Sequence, residues 1–232
     1  MNCPEPNRFQ DFFTESRYIL LKNYLYNYLL RKRAVENSIH PESSGLILEV
    51  GSGISPVMTR TRKIVYSDLS HSALLILKQT YKQGWYVVAD GMNLPFKSGV
   101  FSYAICSEVL EHLENDRRAL LEISRVLKSY GRFIVTFPHR KGYFAADDRF
   151  VNHFRRYELH EMQRRLIDAG FQPNDGQKVL GPLEKITMCI AVYFFFKAPK
   201  TENKPVERDF EIPCDGCYCI FIQMGQPFLY GL

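Results

Sequence analysis

The sequence predicts an α/β protein: a doubly wound, mostly parallel sheet with helices on both faces. Three observations predict it. Apolar strand-like runs alternate with helical periodicity from residue 46 onward. The first run, LILEV (46–50), is almost continuously apolar, as a central strand covered on both faces must be. That run ends in Gly51-Ser52-Gly53, at the carboxyl end of a strand, where open α/β sheets bind ligands.

The elements follow in order. Residues 8–36 place Phe12, Phe13, Tyr18, Ile19, Leu21, Leu25, Tyr28 and Leu29 close to a helical stripe, so one or two helices are expected there. NSIHPESSG (37–45) reads as a polar linker punctuated by Pro41 and Gly45. We therefore divide the chain into a helical cap, 1–40, and a ligand-binding domain, 41–232. KIVYSD (63–68) is a second strand, and Ser70 caps a helix over 69–81. WYVVAD (85–90) and VFSYAICS (100–107) are strands three and four. NDRRALLEISRVLK (115–128) is an amphipathic helix stopped by Tyr130-Gly131, and RFIVTFP (132–138) is the fifth strand. ELHEMQRRLIDAGF (158–171) is a helix with Gly170 just past its end. PLEKITMCIAVYFFFK suits another helix, TENKPVERDFEIP (201–213) a polar loop, and YCIFIQMG (218–225) a last strand.

Composition narrows the class. A chain of 232 residues, 46% hydrophobic and 24% charged, supports one large α/β domain or two small ones. Its charge of +5 is mild and spread out, so solvated helix faces account for most of it. No aromatic and basic alternation suggests a single-strand nucleic-acid groove, and no nucleic-acid partner is expected. The amino terminus lacks the apolar core of a secretory signal. The longest apolar run, Ile186 to Phe196, falls short of the roughly 20 residues that cross a bilayer. With six cysteines and no export signal, reduced thiols and a cytoplasmic location are expected. Cys214, Cys217 and Cys219 lack a partner pair at zinc spacing, so no metal site is expected.

Three acids, Glu49, Asp68 and Asp90, stand at successive strand ends. Each alone reads as a surface residue or helix cap. Together they favour a ligand. A carboxylate after the second strand can accept from both hydroxyls of a ribose, and one after the third can take an adenine amine. A dinucleotide is disfavoured, because the third position of G-x-G-x-x-G is Pro56 and the connection to Asp68 leaves little room for a full helix. No phosphate-loop motif occurs.

LILEVGSG, YSDLS, VVADGMNLPFKSGVFSYAICSEVLEHL and ISRVLKSYGRFIVTFP resemble, in order and spacing, the class I S-adenosylmethionine-dependent methyltransferases. The nearest subgroup is the type 11-like small-molecule methyltransferases, whose substrates include quinones, sterols and sugars. The likeness covers about residues 46–138. It implies a Rossmann-like seven-stranded sheet whose antiparallel last strand YCIFIQMG would supply. It implies S-adenosylmethionine as cofactor, with Gly51, Ser52 and Gly53 beneath the methionine part. Asp68 would hold the ribose with Leu69 beside the adenine. Asp90 would meet the adenine amine with Gly91 and Met92 beside it, and Ser107 the amino-acid end through its backbone, near Glu108. Glu49 would order the loop. Ser55 replaces the family's frequent third glycine.

Methyl transfer from a sulfonium needs positioning, and a base only when the acceptor loses a proton. His139, directly after the fifth strand, and His112, in EVLEHL, are the candidate catalytic residues. His112 is also readable as a packing residue. His153 reads as loop architecture, with Arg155, Arg156 and Tyr157 as contacts for an anionic or hydroxylated substrate. The expected acceptor is a small or lipid-like molecule, apolar or anionic, with ITMCIAVYFFF as an apolar cover, a core helix or a homodimer face. A non-catalytic, cofactor-binding scaffold or partner subunit is the alternative, because fold does not secure function.

Overall fold

The computed structural model describes residues 26–39, 45–144, 148–149, 152–173, 176–179 and 219–225. Outside them lie the start of the amino-terminal helices, the apolar 186–196 segment, the 201–213 loop, and Cys214 and Cys217. The described elements begin with helix α1 (Tyr26–Ser38) and strands β1 (Ile47–Val50) and β2 (Ile64–Asp68). Helix α2 (His71–Tyr81), β3 (Trp85–Val88) and β4 (Phe101–Ser107) follow, then α3 (Asp116–Val126) and β5 (Leu127–Pro138). Helix α4 (Leu159–Asp168), the two-residue strands β6 (Gln172–Pro173) and β7 (Gln177–Lys178), and β8 (Cys219–Gly225) complete it.

Five strands run parallel in the order β3-β2-β1-β4-β5. β8 pairs antiparallel with β5, and β6 and β7 pair antiparallel with β8. Alternation along the strands sorts the core into two layers. Leu48, Val50, Ala104, Cys106, Phe133 and Val135 pack with Ala119, Leu120 and Ile123 of α3 and Met162 and Leu166 of α4. Ile47, Ile64, Tyr66, Ile105 and Ile134 pack with Tyr28 and Val35 of α1 and Leu74 and Leu77 of α2. Helices thus cover both faces, as the unbroken apolar strands require.

Local chemistry explains the helix ends. Ser70 accepts from the Ala73 amide and Asn115 from the Arg118 amide, each satisfying a first-turn donor. Gly170, at φ +88°, follows the Ala169 cap of α4.

Three boundaries differ from expectation. Helix α1 runs to Ser38 and Ile39 is buried, so the linker starts later than residue 37. The connection from Gly51 to Lys63 holds no helix at all. The third helix stops at Val126, and Tyr130-Gly131 sit inside β5 instead of ending the helix. There β5 carries extra residues: Phe101 pairs with Leu127, but Tyr103 pairs with Arg132. Tyr130 takes φ +64° in that irregularity, which turns the strand into register.

Candidate active site

The carboxyl ends of β1, β2, β4 and β5 share one edge of the sheet, and most of the expected site residues lie along it. Gly51 donates to the Ser67 carbonyl at 2.8 Å and takes φ +68°. A Cβ there would collide with the Val109 side chain, so glycine is required on two counts. Asp68 fastens this turn. Its Oδ2 accepts from the Gly53 amide and its Oδ1 from the Ser70 amide, both at 2.8 Å. Leu69 beside it is 46% exposed, an apolar wall open to a ligand. Asp90 Oδ1 accepts from the Met92 amide at 2.8 Å, shaping a tight turn around Gly91.

Glu49 faces away from this edge, into the α1 side. It is buried, and its two oxygens accept from the Val57 and Met58 amides at 2.7 and 3.2 Å. The Tyr28 and Tyr66 hydroxyls donate to the Pro56 and Met58 carbonyls, both at 2.8 Å, and with Glu49 they hold the 56–58 stretch of the helix-free loop. Burial pushes the Glu49 carboxyl up to about 8, against the pull of the two amides and Lys32. Glu49 therefore ties the end of β1 to the Val57-Met58 stretch of the loop.

At the end of β4, the Ser107 hydroxyl lies 2.8 Å from Thr136 Oγ1, which donates to Glu108 Oε1 at 3.1 Å. Glu108 holds φ +55°, unusual for a side chain of its size, and its Oε2 lies 3.9 Å from Arg31 of α1. Helix α1 thereby reaches the strand edge. His139 follows β5, with Nε2 3.4 Å from Glu158. Burial lowers its pKa below the ordinary histidine value despite that carboxylate.

His112 ends a short 3₁₀ turn, Leu110–His112, and its ring meets His153 edge-to-face at 4.5 Å. The sequence offered no sign of two neighbours brought to this pair, buried Glu111 and Asp148. Arg156 and Tyr157 are corrections: both are buried and engaged inside the protein. Arg156 Nε donates to both oxygens of Asp148 at 2.8 Å. Tyr157 donates to Asp116 Oδ2 at 2.8 Å, and Arg155 and Arg165 also pair with Asp116.

The residues along the edge suit an adenosine-bearing ligand. Ser52 and Ser55 are buried with hydroxyls that lack a hydrogen-bond partner, and Leu69 offers its apolar surface. Residues 48–135 match the family model described as a methyltransferase domain. A Mycobacterium tuberculosis protein named as a probable S-adenosylmethionine-dependent methyltransferase is 26% identical over 158 residues, 65% of this chain and 57% of that one. A demethylmenaquinone methyltransferase of Thermotoga maritima is 30% identical over 113 residues, 45% of this chain and 48% of that one. The chain spans about half the length of the curated relatives it matches. Among solved structures, a Haemonchus contortus phosphoethanolamine N-methyltransferase bound to S-adenosyl-L-methionine superposes with TM-score 0.68 at 16% identity. That alignment covers 96% of this chain and 60% of the other, and shares the fold.

The fold is Rossmann-like, and residues 48–135 within it match a methyltransferase domain. Over residues 48–135 the chain is similar to the S-adenosylmethionine-dependent methyltransferases, the class its relatives' names print.

Proposed function

We propose that this chain transfers the methyl group of S-adenosylmethionine to a small-molecule or lipid-like acceptor, and that it works in the cytoplasm. The observation that carries this reading is the Asp68 carboxylate, which holds the Gly53 turn at the sheet edge beside exposed Leu69. Asp68 would take the ribose and Asp90, Gly91 and Met92 the adenine. Gly51, Ser52 and Gly53 would lie under the methionine part, with Ser107 and Glu108 at its amino-acid end. Bound there, the cofactor supplies a methyl group already activated on a sulfonium.

The chain's own residues then orient the acceptor and take its proton. His139 is the base in this reading: an Nε2–H turned toward Glu158 leaves the Nδ1 lone pair to accept, and burial keeps the ring neutral. Residues 1–40 are read as a cap over the site, an idea supported by the Arg31 approach to Glu108. The sheet is read as the seven-stranded form, with the two-residue β6 and β7 as one interrupted strand and β8 as the antiparallel last strand. The demethylmenaquinone methyltransferase among the relatives supports an apolar acceptor.

Calorimetry with S-adenosylmethionine, followed by labelled-methyl transfer to a panel of quinones, sterols and anionic small molecules, tests the proposal. Binding that falls at least tenfold in Asp68→Ala, with transfer to one acceptor, is the expected result. Failure to bind refutes it. Binding without transfer to any acceptor instead supports a non-catalytic scaffold or partner subunit.

A further inference from the structure

Glu111 has no solvent exposure, and neither of its carboxylate oxygens has a hydrogen-bond partner. A buried carboxylate left in that state is costly unless it holds a proton or gains a counter-charge. Two imidazoles stand beside it. His153 Nε2 is 3.9 Å from Glu111 Oε1, and the His112 ring packs on His153. One donor atom from each of Glu111, His112 and His153 lies within 4.8 Å of the other two. The far side of His153 supplies an independent observation. Its Nδ1 is 2.7 Å from Asp148 Oδ1, and Asp148 is itself gripped by Arg156. A carboxylate on one imidazole nitrogen fixes the tautomer and turns the other nitrogen's lone pair toward a ligand, the arrangement found behind metal-bound histidines.

We propose that Glu111, His112 and His153 bind a divalent first-row transition-metal ion such as Zn²⁺, with Asp148 orienting His153. Two imidazoles and one carboxylate suit zinc, cobalt, iron or manganese, whereas calcium and magnesium favour oxygen ligands. Bonds of about 2.1 Å put tetrahedral donor atoms roughly 3.4 Å apart. The cluster must therefore close by up to about 1.4 Å on binding. Three protein ligands leave a position open for water or an oxygen ligand. The site departs from the metal-free reading of the sequence, because Glu111 and His153 are separated along the chain and meet only in the fold.

The test needs neither methyl donor nor acceptor. Metal-stripped protein is titrated with Co²⁺ and followed by its visible absorption, then displaced with Zn²⁺. The expected result is one Co²⁺ per chain, with affinity lowered more than tenfold in Glu111→Gln and His153→Gln. Asp148→Asn should lower it by about 10- to 100-fold. His160→Ala, at an exposed position, should bind as wild type. Zn²⁺ should also raise the melting temperature of wild type and not of Glu111→Gln, which separates lost binding from lost folding. No Co²⁺ binding, equal affinity in the Glu111 and His153 variants, or preference for Mg²⁺ over Zn²⁺ overturns the proposal.

Discussion

Glu49→Gln separates the charge of Glu49 from its shape. In the folded state the carboxyl titrates at about 8, against an ordinary value of 4.5. Between those two values the folded protein holds a proton that the unfolded chain releases. Stability is therefore fully present below about 4.5 and falls as pH rises through 8, by up to roughly 1.4 kcal/mol per pH unit. Gln is neutral at every pH and removes that slope. It also keeps only one oxygen for the two amides of Val57 and Met58, leaving one buried N–H unsatisfied at about 1–3 kcal/mol. Urea unfolding of both proteins from pH 5.5 to 7.5 measures the difference. Wild type should be the more stable at pH 5.5 by about 1–3 kcal/mol, and should lose roughly 2–3 kcal/mol relative to the variant by pH 7.5. A gap that stays constant or widens with pH means Glu49 is ionised throughout, and the argument from burial fails.

Asp116 and His139 give two further outcomes. Asp116→Ala strips the partner from the buried Tyr157 hydroxyl and from Arg165, and should cost about 3–5 kcal/mol in denaturant unfolding. His139→Gln should slow proton-releasing methyl transfer by about 10²- to 10⁴-fold. Because burial lowers the His139 pKa, the wild-type acid limb should lie below about 6.5, and a limb above that value argues against His139 as the base.

Much of this architecture can be read from periodicity. LILEV and RFIVTFP are central strands whose alternate residues fill two separate cores, and apolar runs announce that directly. The Ser70 and Gly170 signals locate helix ends because capping is local chemistry. Tyr130-Gly131 misleads because a positive φ serves a strand irregularity as well as a helix stop. Along the binding edge, Asp68 and Asp90 are legible since each follows its strand closely. Tyr157 and Arg156 are not: their exposure depends on Asp116 and Asp148, far off in sequence or unremarkable in type. Glu111 is hidden for the same reason, since a charged residue in a polar-looking motif gives no hint of complete burial.

Asp68 joins two structures by one side chain, with the Gly53 amide on one oxygen and the Ser70 amide on the other. The turn and the first coil of α2 consequently cannot loosen separately; they open as one cooperative unit. Amide exchange at Gly53 and at Ala73 should then report a single opening free energy. A ligand that grips Asp68 protects both at once, so its binding is felt along α2, away from anything it touches.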